Sequence, residues 1–112
     1  MKLREEKVGD VLVVRVEEPR LDSNVSVEFK TELLRLVETE GERKILVDLQ
    51  QVDYADSSGL GALLFGHRHA RDHAGLLKLV HVHPKVRTLI DIAKLDDILE
   101  TYDSEDAALK SF

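Results

Sequence analysis

The residues best equipped for chemistry lie in one stretch, Val52-Asp53-Tyr54-Ala55-Asp56-Ser57-Ser58-Gly59-Leu60-Gly61-Ala62-Leu63-Leu64. Asp and Ser cap helix N-termini because their side-chain oxygens accept the orphan backbone N–H groups of the first turn. Gly59 and Gly61 follow directly and keep the surface of that turn bare, so another backbone can approach closely. The spacing predicts an exposed hydroxyl at the positive end of a helix, beside the carboxylates of Asp53 and Asp56. Such a spot suits the attachment or removal of a phosphate, or the docking of a partner. From spacing alone, Asp56 and Ser57 can equally be an ordinary N-cap pair. Asp53 can be a loop residue that caps a turn, and the two glycines can serve close helix–sheet packing.

The histidines are the second candidates. His67, His69 and His73 fall on the helix expected after the serines, and His69 with His73 has the i, i+4 spacing of a two-ligand metal face. His81 and His83 alternate on an expected strand and point the same way. No Cys is present and no carboxylate motif completes a site, so a solvated polar face is expected, with no metal and no cofactor. A catalytic reading would make Ser57 a nucleophile and a His its base. The Gly-x-Ser-x-Gly elbow is absent and no oxyanion or acid partner stands out, so no catalytic residue and no enzyme activity are expected. Asp96, Asp97 and Glu100 read as solvent-facing.

The surrounding elements must place these groups. Lys2 to Val8 reads as a charged strand that turns at Gly9-Asp10 into the β-branched run Val11 to Val16, a hairpin. Pro19 breaks the regular structure. Asp22-Ser23-Asn24 supplies N-cap candidates for a helix from about Val25 to Glu40, closed by Gly41, with Val25, Phe29, Leu33, Leu36 and Val37 inward. A strand at residues 44–49 leads into the serines. The next helix is expected from Ser58 to about Ala74, with Gly75 at its C-terminal end. Residues 76–82 form another strand, Pro84 opens a short helix to about Ala93, and residues 98–102 read as an edge strand. Ser104 caps a last helix. This alternation implies a mixed sheet with helices packed on it.

Composition sets the outer limits. The 112 residues, 43% hydrophobic, suit one domain spanning 1–112 with a single core. A net charge of −6 with no basic stripe argues against direct nucleic-acid binding, and no Trp with only three Phe and two Tyr argues against base stacking. No apolar run is long enough for membrane insertion, and Met1 to Glu6 has no apolar h-region, so a cytoplasmic protein is expected.

In these residues the chain resembles a STAS domain, and among STAS domains the single-domain anti-sigma factor antagonists of bacteria. The resemblance covers nearly the whole chain. It includes the Leu21-Asp22 step, the apolar strand into Asp56-Ser57-Ser58-Gly59-Leu60-Gly61, the 76–82 strand followed by Pro84-Lys85-Val86, and the closing Asp103 to Phe112 segment. It implies an α/β STAS fold, a mixed four- to five-stranded sheet with about four helices. It also implies a mechanism. Ser57 is the position phosphorylated by an anti-sigma factor that is also a serine kinase. The unphosphorylated form binds that anti-sigma factor and frees the sigma factor, and a PPM-type phosphatase restores it. Ser58, Gly59, Leu60 and Gly61, with Asp22, Ser23, Asn24, Asp53 and Asp56, would form the docking surface. Two other STAS roles remain open: a subunit of a lipid-transport ABC complex, and a scaffold in a stress-signalling assembly. The chain departs from the family pattern in its second-helix histidines and in Lys94-Leu95-Asp96-Asp97, where a Gly-containing turn is common.

Overall fold

The computed structural model describes all 112 residues. Strands β1 (Leu3–Val8) and β2 (Val11–Val16) form an antiparallel hairpin through Gly9, whose φ of 62° lies in the left-handed region. From β2 the sheet grows in parallel through β4 (Lys44–Asp48) and β6 (Leu76–Val80) to the edge strand β7 (Thr101–Tyr102). The order is β1-β2-β4-β6-β7. A separate parallel pair joins β3 (Arg20–Leu21) to β5 (Tyr54–Ala55).

The period-2 alternation of the strands divides the core between two faces. Leu12, Val14, Ile45, Val47, Leu77 and Leu79 point to the larger side, where they meet Phe29 and Leu33 of α1 (Ser26–Leu34). The same cluster takes in Leu60, Leu63 and Ala70 of α2 (Ser57–Asp72), with Val86 and Ile90 of α3 (Pro84–Ile92). On the other face Val11, Val13, Leu46 and Val80 receive Ala108 of α4 (Glu105–Lys110). That smaller helix is also clamped by charge. Arg15 donates to Asp48 at 2.8 Å and to Glu105 at 2.7 Å, and His81 Nδ1 lies 2.9 Å from Asp48. Burial works against the Asp48 charge, but the hydrogen bonds from His81, the Gln50 N–H and Arg15 outweigh it and hold the carboxyl below its ordinary pKa.

Several expected boundaries shift, each for a local reason. The first helix begins at Ser26 and not Val25, which is its cap and makes no side-chain capping bond. Asp22 instead closes an Asx turn, its Oδ1 accepting from the Asn24 N–H at 3.0 Å. The helix also changes pitch, ending in a π-helical turn at Arg35–Thr39. The 76–82 strand stops at Val80, because His81 takes a φ of 58° and turns toward Asp48. His83 leaves the sheet altogether and caps α3, accepting from the Lys85 N–H at 3.1 Å, so the two histidines do not share a strand face. The edge strand shrinks to two residues, with Leu99 buried before it. At the end of α2 the left-handed residue is Ala74, not Gly75. Gly75 is needed for space: a Cβ there would stand 2.7 Å from the Arg43 carbonyl oxygen. Lys94, at φ 59°, occupies the left-handed turn after α3.

Candidate functional site

The site is built at the first turn of α2 by backbone hydrogen bonds. After β4 the chain dips through buried Leu49 and Val52, then rises into β5 beside β3. The Asp53 N–H donates to the Pro19 carbonyl at 3.0 Å, and the Asp56 N–H donates to the Leu21 carbonyl at 3.1 Å. These bonds fix Asp56 in extended geometry as the N-cap of α2, where its carboxylate accepts from the Gly59 N–H at 3.0 Å. Ser57 is the first helical residue and is exposed. Capping is therefore done by Asp56, which leaves the Ser57 hydroxyl outside the cap at the positive end of a 16-residue helix.

The two glycines have separate roles. A Cβ on Gly59 would overlap the Leu21 carbonyl group, standing 2.8 Å from its carbon. Gly59 thus lets α2 press onto β3, and it is buried. Leu60 is buried as well and belongs to the core. Gly59 and Leu60, expected from the resemblance in the docking surface, lie buried beneath the exposed turn and shape it from below. A Cβ on Gly61 would meet nothing within 4 Å, so that position does keep the surface bare. Ser58 and Gly61 are partly exposed beside Ser57.

The Asp22–Asn24 loop leaves β3 at Leu21, the residue against which Gly59 packs, and so borders the same turn. Ser23 and Asn24 are exposed, whereas Asp22 is half-buried and holds the loop through its Asx turn. Asp53 is exposed on the approach to β5. Sequence reading missed the pair between these segments: the Arg20 guanidinium lies 4.0 Å over the Tyr54 ring and 3.3 Å from the Asp22 carboxylate. It also missed a cluster at the far end of α2. Glu38, from the π-helical turn, brings its Oε1 to 2.9 Å from His69 Nε2 and 3.9 Å from His73 Nε2. A carboxylate does therefore join those histidines, contrary to the expectation that none would.

Comparison with known proteins agrees with this architecture. The STAS domain family model matches residues 2–108, and the chain belongs to that family. BtrV of Bordetella bronchiseptica, named as a candidate anti-sigma factor antagonist, is 30% identical over 112 residues, spanning 100% of this chain and 95% of BtrV. An anti-sigma F factor antagonist of Paenibacillus polymyxa is 29% identical over 99 residues, 88% of this chain and 84% of that protein. The Bacillus cell fate determinant SpoIIAA in its phosphorylated form superposes with a TM-score of 0.74 at 20% identity, covering 99% of this chain and 100% of SpoIIAA. No helix is long and apolar enough to cross a membrane.

Proposed function

We propose that this chain is an anti-sigma factor antagonist that works by partner switching in the cytoplasm. Unphosphorylated, it binds an anti-sigma factor with serine kinase activity and so releases a sigma factor. Phosphorylation of Ser57 ends the binding, and a PPM-type phosphatase reverses it. The observation that carries this reading is the exposed Ser57 hydroxyl on the first turn of α2, freed by the Asp56 cap. The chain itself acts as phosphate acceptor, not as enzyme, and the switch at Ser57 calls on no group beyond the phosphate.

Elementary electrostatics supports the switch. A phosphate adds roughly −1.5 to −2 charge at neutral pH. At Ser57 the helix dipole favours that charge, so the fold accepts it without rearrangement. Asp22, Asp53 and Asp56 already make the neighbourhood acidic, and a partner face shaped for a neutral hydroxyl would meet a dianion. A loss of about 3 kcal/mol lowers affinity by more than about a hundredfold. Ser57, Ser58 and Gly61, with Asp22, Ser23, Asn24 and Asp53, form the contact surface in this reading, while Asp56, Gly59 and Leu60 hold it in shape.

The test is a phosphorylation reaction with the purified cognate anti-sigma factor and ATP, mapped by mass spectrometry. The expected product carries one phosphate, on Ser57. Ser57→Ala should take up none and still bind, whereas Ser57→Asp should bind at least tenfold more weakly. Phosphate on Ser58 alone, or uptake undiminished in Ser57→Ala, would contradict the reading.

A further inference from the structure

The C-terminal end of α2 carries a second arrangement, remote from Ser57 by 12 residues of helix, about 18 Å. His69 and His73 sit one turn apart, their ring centroids separated by 4.7 Å and their planes inclined by 38°. Glu38 reaches them from the π-helical turn of the neighbouring helix, a backbone irregularity that is frequent at functional sites. The Glu38 carboxylate oxygen and one nitrogen from each histidine all lie within 4.8 Å of one another.

The hydrogen bonding also selects a ligand-ready form. His73 Nδ1 is 2.9 Å from the His69 carbonyl oxygen. A carbonyl can only accept, so Nδ1 carries a proton, and in the neutral ring the lone pair is on Nε2, on the Glu38 side. A backbone carbonyl behind the ring is the usual outer support of a metal-bound histidine. His69 points Nε2 at the same carboxylate oxygen, and Phe65 stacks on its ring at 5.5 Å. Both imidazoles are partly sheltered, with side-chain exposures of 20% for His69 and 34% for His73.

We infer that Glu38, His69 and His73 form a binding site for a late first-row divalent cation, Zn²⁺ above all. Two imidazole nitrogens and one carboxylate oxygen are a donor set such ions favour. Tetrahedral coordination at bond lengths of about 2.1 Å places ligand atoms about 3.4 Å apart. The separations of 2.9 and 3.9 Å to Glu38 bracket that value, so side-chain rotations of modest size close the site. The ion replaces the hydrogen bond between His69 Nε2 and Glu38; the single ring proton of neutral His69 then sits on Nδ1, and water fills the fourth position. Bound there, the ion ties the end of the first helix to the end of the second.

Titration of the full chain with ZnCl₂ by calorimetry tests this. One equivalent should bind, and a hundredfold excess over Kd should raise the melting temperature by on the order of 10 °C. Glu38→Gln should weaken binding at least about tenfold, and the double variant His69→Gln/His73→Gln should abolish both effects. Absence of Zn²⁺ binding to the wild type, or unchanged binding in the double variant, would overturn the site. Should that variant fail to fold, Co²⁺ added to the wild type decides the matter. Paramagnetic shifts on the His69 and His73 ring protons support the site, and shifts confined to His81, His83 or the N-terminus refute it.

Discussion

The two ends of α2 are held in different ways and offer opposite chemistry. At the N-terminal end, positioning rests mainly on the backbone: the Leu21 carbonyl, the Gly59 N–H held by the Asp56 carboxylate, and a glycine with no side chain to interfere. What faces outward is a hydroxyl, where the helix dipole favours a negative charge. At the C-terminal end, side chains from two helices converge: Glu38, His69 and His73. There the dipole favours a positive charge. One helix thus presents an anion-accepting end and a cation-accepting end. An end built from backbone can take a covalent group without disturbing its own scaffold, whereas an end built from side chains depends on how two helices pack.

The contrast is sharpest at Gly59, and the largest effect is expected there. Gly59→Ala forces a methyl group onto the Leu21 carbonyl, which should destabilise the fold by roughly 3 kcal/mol, read as a lower midpoint in urea. An unchanged midpoint would mean that β3 and α2 are not tightly docked. Asp56→Ala removes the cap and should cost about 1 kcal/mol. The same denaturation measurement checks it, and only the N-terminal end of the helix should fray in hydrogen exchange. Gly61→Ala goes the other way. With open space around its new methyl group and helical backbone on both sides, it should add about 0.5 to 1 kcal/mol. If it also weakens partner binding, the bare surface at Gly61 is used by the partner.

The smallest effect comes from between the two ends. His67 is buried, and that burial, with the Arg71 charge as a lesser contributor, pushes its pKa below the ordinary histidine value. On acidification the unfolded chain therefore takes up the proton first. The contribution to stability is fully present above about pH 6.5 and is lost as pH falls toward the folded value. His67→Leu should flatten the dependence of stability on pH between about 7 and 5. An equal slope in the variant would assign the dependence to another group.

What the sequence made legible follows from the range of the forces involved. The β2 and β4 runs and the Asp56 cap follow from local pattern, and the structure places them accordingly. The β3–β5 pair was not legible, since two residues on each side carry no periodicity and the pairing spans over thirty residues of chain. Nor were the left-handed residues Ala74, His81 and Lys94, none of them the glycine that such a backbone favours. At the candidate site, exposure of Ser57 could be anticipated from the cap, but the burial of Gly59 depends on the distant Leu21. The partnership of Glu38 with two histidines depends on how the first two helices pack, which local pattern does not encode.

The central claim is that charge on Ser57 governs partner affinity. It is tested most directly by preparing the chain fully phosphorylated at Ser57 and measuring its Kd for the cognate anti-sigma factor beside that of the unmodified chain. The account predicts an affinity lower by more than about a hundredfold, restored by phosphatase treatment. Equal affinity for the two forms would contradict it.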